Sequence, residues 1–377
     1  MSDRELTRRV EPSHAGIDPT RLAEAERFIS DELARLSLPG AGLVLARHGS
    51  IVLERYWGTC CTMGRPDQPY DGTILNQLYS YSKIITSTVV AMLHQEGLLD
   101  YDAPICRYVP QFAGEGREAI TLRHCLTHST GIPNPPLPQV HTSQAWVQAV
   151  EVMCREVPAW PPGSRTAYHG RSGSFLAAEA ALRVTGAADW DQLCRARLFG
   201  PLGADSLSFA VPKDPKRIAV TPHPGQVPQQ LETECLGHPG AGCFGTLRDA
   251  IRVLQLQLNG GGWNGRSLLT QGEMDLVRAV QYADQIAAAK AANEKPQHEF
   301  WGLGWLLRGT TTSGWFGFGK LASPRSFGHA GIGTIMGIAD PDRDLAIMFS
   351  ITSEPGGDDV VKVRNGVTDR LVAAVAD

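Results

Sequence analysis

The chain has 377 residues, of which 42% are hydrophobic and 20% are charged, and this composition is typical of a globular protein with a large core. The formal net charge of −4 gives no indication of nucleic-acid or membrane binding, and the apolar runs are too short to cross a bilayer. The first residues lack the apolar region of a signal peptide, and the eight cysteines are scattered without a CxxC pair, so we expect reduced thiols in a cytoplasmic protein.

The predicted elements begin with a helix over residues 18–36, which Asp18 can cap and whose first turn can hold Pro19. Two apolar runs within residues 41–58 then flank the turn sequence 47-RHGS-50. This pattern predicts a β-hairpin.

A second hairpin is predicted near the other end of the chain. The apolar runs 334–339 and 345–352 flank the polar turn 340-DPDRD-344. Nearly continuous apolar strands are typical of a sheet that is covered on both faces. An amphipathic helix is predicted from about Asp359.

Between these ends, residues 80–244 consist mostly of predicted helix and Pro-rich loop, and residues 283–300 form a helix or insertion with a polar end. We therefore predict an α/β protein of the α+β type. An antiparallel sheet from residues 1–79 and 245–377 is flanked by the N- and C-terminal helices. The mostly helical lobe 80–244 is inserted into it, and the site lies between the two parts.

The stretch 77-QLYSYSKIITS-87 places Ser80 and Lys83 on one face at the start of a helix that runs to about Glu96 and stops at Gly97. In the simplest interpretation Ser80 caps the helix and Lys83 is a surface charge. However, a capping box would place Glu or Gln at the fourth position, and a cation in the first turn opposes the helix dipole. Such a local violation indicates a functional site.

The chemistry of this pair suits nucleophilic catalysis. A serine hydroxyl becomes a good nucleophile only when a base removes its proton. Lys83, partly desolvated among backbone N–H dipoles, should release its own proton more easily and so act as that base. The backbone N–H of Ser80 could in turn bind an oxyanion.

Several segments resemble, in the same order, the serine β-lactamase and penicillin-binding-protein-like family, especially its class C and esterase branch. The stretch Ser80–Lys83 matches the family's S-x-x-K motif. The similar segments are 98–112, 120–133, 162–186, 238–261, 301–305 and 327–334. The resemblance covers about residues 17–352 and implies the β-lactamase/transpeptidase-like fold.

The resemblance also implies residue roles. Tyr168 falls on the tyrosine of the family's Tyr-x-Asn motif and would exchange protons with Ser80 and the leaving group. Without the resemblance, Tyr168 would be interpreted as a packing residue. The family's Lys-Thr-Gly position corresponds to three residues that would border the pocket and bind substrate: His329, Ala330 and Gly331.

The backbone N–H of Ile332 would complete the oxyanion hole with that of Ser80. Two departures from the family pattern set this chain apart. Gly170 replaces the asparagine of Tyr-x-Asn, with His169 before it, and the lysine of Lys-Thr-Gly is absent. Both changes remove partners of a β-lactam, and Tyr-His resembles esterase and lactonase-like members. Both His169 and Gly170 are further candidates for substrate binding, with packing as the alternative role for His169.

We therefore expect a serine hydrolase that forms an acyl-Ser80 intermediate from a small ester or lactone and needs no metal or organic cofactor. Acyl transfer through the same intermediate, and hydrolysis of β-lactams or D-amino-acid peptides, are alternatives. A binding or sensor module is a further alternative, which the intact Ser80, Lys83 and Tyr168 set disfavours. The expected partner is a small acyl substrate, without nucleic acid or membrane, and the oligomeric state stays open.

Three other patterns are weaker. The stretch 240-GAGCFG-245 fits GxGxxG but follows no buried strand, so we interpret it as a turn before a helix capped by Thr246. His124 and His128 have the i, i+4 spacing of metal ligands on a helix, but no third ligand is identifiable. The stretch 170-GRSGS-174 misses the G-x-S-x-G elbow by one residue.

Pocket shape is expected to depend on the loop 132–138, the segment 283–300 and the aromatic loop 313–320. Five tryptophans are candidates for lining a cleft: Trp146, Trp160, Trp263, Trp301 and Trp315.

Overall fold

The computed structural model describes residue 6 and residues 8–63, 65–220, 235–310, 317–332 and 334–376. The helices are α1 (Pro19–Arg35), α2 (Ser82–Gln95), α3 (Leu122–Leu126), α4 (Ser143–Met153), α5 (Ser172–Thr185), α6 (Trp190–Cys194), α7 (Gly200–Leu202), α8 (Leu247–Leu258), α9 (Gln271–Arg278), α10 (Ala283–Ala291) and α11 (Asp358–Ala373). The strands are β1 (Gly40–Arg47), β2 (Ser50–Thr62), β3 (Arg65–Pro69), β4 (Asn76–Gln77), β5 (Phe244–Gly245), β6 (Gly262–Trp263), β7 (Arg266–Ser267), β8 (Leu306–Leu307), β9 (Phe327–Ala330), β10 (Ile335–Asp340) and β11 (Leu345–Ile351).

Seven strands form one antiparallel sheet in the order β3-β2-β1-β11-β10-β9-β8. The two predicted hairpins are confirmed as β1–β2 and β10–β11. They meet in the middle of the sheet because β1 pairs with β11, with Ala41 opposite Ile351 and Arg47 opposite Leu345. Both ends of the chain therefore build a single sheet, as the sequence predicted.

Helices cover both faces of this sheet. One face packs against α1 and α11, where Leu22 and Leu371 share an apolar cluster with Leu43 of β1. The opposite face packs against α8 and α2. Strands β10 and β11 are buried along their whole length, which explains their continuous apolar sequences.

The terminal helices begin as the sequence predicted. The Asp18 side chain accepts hydrogen bonds from the backbone N–H groups of Thr20 and Arg21, and Pro19 occupies the first turn of α1. Helix α11 begins at Asp358, one residue before the predicted start. Two acidic residues in its first turn stabilise the helix, because their negative charges lie at the positive end of the helix dipole.

The two ends of the segment 80–244 lie side by side, because β4, shortly before the segment, pairs with β5, which begins at its last residue, in a separate two-stranded sheet. Helices α2 to α7 lie between β4 and β5, and the described residues between Gln77 and Phe244 contain no strand of the seven-stranded sheet. One continuous apolar cluster contains Val44 of β1, Ile84 of α2 and Phe175 of α5. The division into a sheet domain and a helical domain stays a prediction, since this cluster crosses the boundary.

The local prediction for His124 and His128 needs correction. Helix α3 ends at Leu126, and His128 lies beyond it with a φ of 56°, so His124 and His128 do not share a helix. The Thr121 and His124 side chains instead form a reciprocal capping box at the start of α3. The stretch 301–305, one of the segments that resemble the family, precedes the short strand β8, and its Trp301 forms a bridge with Leu306.

The glycine-rich stretch after residue 239 is a turn that leads into the short strand β5, and Thr246 caps α8 by accepting a hydrogen bond from the Asp249 N–H, as predicted. Within the described ranges, no helix has both the length and the apolar character needed to cross a membrane.

The packing of β10 on Tyr81 gives a stability prediction. A Cβ atom at Gly337 would lie 2.1 Å from Cε2 of Tyr81, and the fully buried Tyr81 ring is held by a hydrogen bond from its Oη to the Ala250 carbonyl (2.8 Å). Gly337→Ala should therefore lower the free energy of unfolding by about 1–3 kcal/mol in urea denaturation. Gly356→Ala is the control, because its Cβ would meet no atom within 4 Å. Equal stability of the two variants would contradict this packing.

Candidate active site

Ser80 lies in a short turn between the sheet and α2. After β4 the chain forms a 3₁₀ turn over Tyr79–Tyr81 and then enters α2, whose N-cap position is Tyr81. Ser80 is therefore not the helix cap that the simplest interpretation assigned to it. Tyr79 adopts a φ of 46°, a left-handed conformation that is strained for a tyrosine. Such strain immediately before Ser80 is typical of a functional turn.

Ser80, Lys83 and Tyr168 come together although Tyr168 is 88 residues away from Ser80 in the sequence. Ser80 Oγ accepts hydrogen bonds from Lys83 Nζ (3.0 Å) and from Tyr168 Oη (2.7 Å). Lys83 Nζ also donates to the Gly240 carbonyl (2.8 Å) and lies 5.2 Å from the centroid of the Tyr168 ring. A hydroxyl in contact with two groups that exchange protons is suited to nucleophilic attack.

Burial separates the roles of these three side chains. Lys83 is only 2% exposed, so its amine is shielded from water and oriented by its two oxygen partners. Tyr168 is 44% exposed and opens toward solvent. A substrate can therefore reach Ser80 from the side of Tyr168, while Lys83 stays inside.

Backbone hydrogen bonds and ring packing hold the Tyr168 segment in place. The Ala167 N–H donates to the His128 carbonyl (2.9 Å), and the Thr166 N–H donates to the Gln297 carbonyl (3.0 Å). The Tyr168 ring lies 4.7 Å from the His128 ring and 5.9 Å from the stacked Trp301 ring. These contacts direct the phenol oxygen toward Ser80.

Strand β9 and the residues after it reach the same site. A cavity of about 410 Å³ is lined by Ser80, Tyr168, Ala330, Gly331 and Ile332, together with residues around the start of α11. Ser80 and Ile332, whose backbone N–H groups are expected to bind the oxyanion, therefore line one common cavity.

His329 lies behind this wall and is 1% exposed. Its Nδ1 donates to the Ala330 carbonyl oxygen at 2.8 Å, and its ring lies 6.2 Å from that of Tyr168. Burial, together with the positive charge of Lys83, lowers the pKa of His329 to about 3. The position that resembles the family's cationic lysine therefore carries an uncharged imidazole at neutral pH.

His169 and Gly170 directly follow Tyr168, and neither is among the residues that line the cavity. The His169 N–H donates to His128 Nδ1 (3.4 Å), and the His169 ring lies 5.7 Å from that of Trp160. A Cβ atom at Gly170 would meet only the Asn134 amide nitrogen, at 3.8 Å. The glycine thus leaves space where a family member carries an asparagine side chain.

Sequence reasoning missed several residues of this site. His128 was considered only as a partner of His124, yet it is buried between Tyr168 and Trp301. Asn134, from the Pro-rich loop, was also missed. The residues from the C-terminal part that line the cavity include Glu354, Asp358 and Arg364. Neither composition nor spacing marks them, because they are remote in sequence from every motif.

The five candidate tryptophans separate in the structure. Trp301 packs on Tyr168 and Trp160 lies near His169. Trp263 is buried in the main core. Trp146 lines a second cavity of about 640 Å³, which contains none of the predicted site residues, so we assign the site to the smaller cavity. Trp315 lies outside the described residues.

The three predicted pocket segments also differ. The loop 132–138 supplies Asn134, whose side chain accepts a hydrogen bond from the Arg171 N–H (3.0 Å). The segment 283–300 comprises α10 and residues that contact Thr166 through Gln297 and His298. Half of the aromatic loop 313–320, residues 313–316, lies outside the described residues. In the part of the chain that the structure describes, no three His, Cys, Asp or Glu side chains are grouped as metal ligands would be.

Comparison with known proteins finds relatives of similar sequence and solved structures of similar fold. A putative D-alanyl-D-alanine carboxypeptidase of Escherichia coli O157:H7 is 26% identical over 380 residues, covering 90% of this chain and 83% of the relative. The crystal structure of a family VIII carboxylesterase, at 23% identity, superposes with a TM-score of 0.72 over 96% of this chain and 98% of its own.

A second solved structure is EstCE1, described as a hydrolase with promiscuous acyltransferase activity. It is 15% identical and superposes with a TM-score of 0.73 over 93% of this chain and 99% of its own. At this level of identity both structures establish a shared fold. The sequence profile of the Beta-lactamase family matches residues 25–368. With that match across most of its length, and with the fold of its structural neighbours, this chain belongs to the Beta-lactamase family.

Proposed function

We propose that this protein is a carboxylesterase-type serine hydrolase that acts on small esters or lactones through an acyl-Ser80 intermediate. The observation that carries the proposal is the position of Ser80 Oγ, 3.0 Å from Lys83 Nζ and 2.7 Å from Tyr168 Oη, at the wall of an open cavity. A hydroxyl held between an amine and a phenol has the surroundings that activate a serine nucleophile.

In the proposed first step, Ser80 Oγ attacks the ester carbonyl carbon, and its proton passes to the Lys83–Tyr168 pair. The tetrahedral oxyanion accepts hydrogen bonds from the N–H groups of Ser80 and Ile332. The C–O bond to the alcohol then breaks, Tyr168 returns the proton to the leaving oxygen, and the acyl group remains on Ser80.

In the second step, a water molecule attacks the acyl-Ser80 carbonyl and gives up its proton through the same pair. The C–O bond to Ser80 breaks, the serine regains its proton, and the carboxylic acid leaves. The reaction consumes one ester and one water and releases one alcohol and one acid, with the enzyme restored.

Charge at the site supports uncharged substrates over carboxylate-bearing ones. Two buried cations lie at the site, Lys83 and Arg364, and both donate hydrogen bonds to oxygens of the protein. Glu354 and Asp358 are among the cavity-lining residues and add negative charge. With a neutral imidazole at His329, a β-lactam or a peptide with a C-terminal carboxylate would meet repulsion without a dedicated cation.

Acyl transfer is the second candidate. It uses the same acyl-Ser80 intermediate, with an alcohol in place of water, and EstCE1 combines hydrolase and acyltransferase activity on this fold. The exposed position of Tyr168 leaves the intermediate open to either acceptor. Product analysis in the presence of an added alcohol separates the two reactions.

The nucleophile is tested by substitution. Ser80→Ala should lower the kcat for a short p-nitrophenyl ester by at least about 10³-fold, because no other group can form the acyl intermediate. Tyr168→Phe should lower kcat by about 10²–10⁴-fold through loss of proton transfer. Intact-protein mass spectrometry should detect an acyl adduct on the wild type and none on Ser80→Ala. The exposed Ser30→Ala on α1 is the control, and full activity in Ser80→Ala would refute the proposal.

The missing amide gives a second test. Gly170→Asn should fold normally, because the nearest atom to the new Cβ is 3.8 Å away. The added side chain could hydrogen-bond an amide substrate, so turnover of a chromogenic cephalosporin should rise about tenfold relative to the wild type. Gly272→Asn, an open position on α9, is the control. No change in the cephalosporin-to-ester ratio would mean that Gly170 does not set this preference.

The histidines around the catalytic group are held neutral. Burial is the main cause that lowers the pKa of His329 to about 3 and the pKa values of His128 and His238 well below their ordinary range, and the charge of Lys83 adds to it. Further positive charge beside Lys83 is thereby avoided at neutral pH. The folded protein should therefore lose stability in acid, because these imidazoles bind protons readily only in the unfolded chain.

This sensitivity has a defined direction. Between about pH 6.5 and 3 the unfolded chain binds a proton at His329 that the folded protein does not, so stability is complete above pH 6.5 and falls as the pH decreases. His329→Gln should reduce the slope of unfolding free energy against pH by about 1.4 kcal/mol per pH unit in this window. Urea titrations from pH 7 to 4 measure it, with an unchanged m value as the control. Identical slopes in both proteins would contradict the burial argument.

A further inference from the structure

Arg364 of α11 is a buried cation at the catalytic cavity that the proposed reaction does not use. Its side chain is 4% exposed, and the residue lines the cavity together with Ser80 and Ile332. Its Nη2 donates hydrogen bonds to the carbonyl oxygens of Gly331 (2.5 Å) and Ile335 (3.0 Å). Burial lowers its pKa to about 10, so the guanidinium still carries its charge at neutral pH.

The Gly331 carbonyl belongs to the same peptide group as the Ile332 N–H, which is the proposed oxyanion donor. Gly331 C=O and Ile332 N–H are parts of one planar peptide, and the structure contains no cis bond among the residues that it describes. In a trans peptide the C=O and N–H bonds point in opposite directions. A group that fixes the carbonyl on the α11 side therefore also fixes the direction of the Ile332 N–H.

The second carbonyl anchors this peptide to the sheet. Ile335 O, at the start of β10, also accepts a hydrogen bond from the Gly331 N–H (2.8 Å). One guanidinium nitrogen thus joins the end of the β9 segment to the start of β10. On the opposite side, a Cβ at Gly331 would lie 2.8 Å from both the Leu78 carbonyl and the Tyr79 Cβ, so the segment is pressed against the turn that carries Ser80.

We infer that Arg364 is a positioning residue of the oxyanion hole, which aims and polarises the Gly331–Ile332 peptide through its hydrogen bond to Gly331 O. The inference rests on the proposed function and assigns to the C-terminal helix a part in transition-state stabilisation. A charged donor on a carbonyl draws electron density from the attached amide, which makes its N–H a stronger donor. A preorganised donor contributes most where negative charge develops, on the tetrahedral intermediate.

The test compares Arg364→Gln with the wild type on a p-nitrophenyl ester. We expect kcat to fall about 10²-fold, within the range for loss of one oxyanion donor, while KM changes less than about threefold. The inhibition constant of phenylboronic acid, which forms a tetrahedral anion on serine, should weaken by the same factor as kcat/KM. A purely structural role would not produce this parallel, because it would lower the melting temperature without separating kcat from KM.

Arg370→Gln is the matched control, since Arg370 is an exposed arginine on the same helix, hydrogen-bonded to the Gly366 carbonyl. It should keep kcat, KM and boronate binding. If Arg364→Gln does not fold, Arg364→Lys carries the test, because it keeps a cation and most of the buried side-chain volume. It should recover part of the boronate affinity and kcat but not all, since a lysine lacks the planar guanidinium geometry.

Unchanged kcat and boronate binding in folded Arg364 variants would overturn the inference, as would a rise in KM alone. Loss of activity in Ser80→Ala together with full activity in the Arg364 variants would reject only the role of Arg364. Full activity in Ser80→Ala would reject the proposed function itself.

Discussion

The site depends on the close approach of strand β9 to the turn before α2. At Gly331 the backbone lies so near to Leu78 and Tyr79 that a side chain has no space, since its Cβ would be 2.8 Å from atoms of both residues. Tyr79 accepts a left-handed conformation in the same turn. The tight contact brings Gly331 and Ile332 next to the turn that carries Ser80, so the two backbone N–H groups proposed for the oxyanion belong to neighbouring segments. Backbone atoms can form an oxyanion hole only when the chain segments are this near to each other.

The seven-stranded sheet holds the end of β9 in contact with this turn. Pairing of β1 with β11 ties the two ends of the chain together, and helices cover both faces. The buried middle of a sheet deforms little, because its side chains are close-packed and its hydrogen bonds are complete. Strand β9 pairs with β10 and is therefore held by the rigid sheet, which fixes the positions of Ala330 and the adjacent Gly331. The side of the cavity near the exposed Tyr168 is built from loops.

Electrostatics around Lys83 follows from its burial. An amine that is 2% exposed needs partners, and it finds them in Ser80 Oγ and the Gly240 carbonyl instead of a carboxylate. Neutral His128, His238 and His329 complete surroundings that add no further charge. The C-terminal helix contributes a buried cation, Arg364, which also lines the cavity.

Sequence by itself determined the elements whose signals are local. The Asp18 cap, both hairpins and the Ser80–Lys83 spacing each need only a few neighbouring residues, and apolar periodicity with turn chemistry specifies them. The resemblance of ordered segments then gave Tyr168 and the 329–332 stretch as neighbours of the serine. Only the tertiary structure decided which distant side chains complete the site. His128, Asn134 and Arg364 reach it from three different segments, and their positions depend on how the loops and α11 pack against the sheet. A contact between residues far apart in the chain leaves no periodic pattern in a single sequence, because loop closure and core packing fix it only after the whole chain folds.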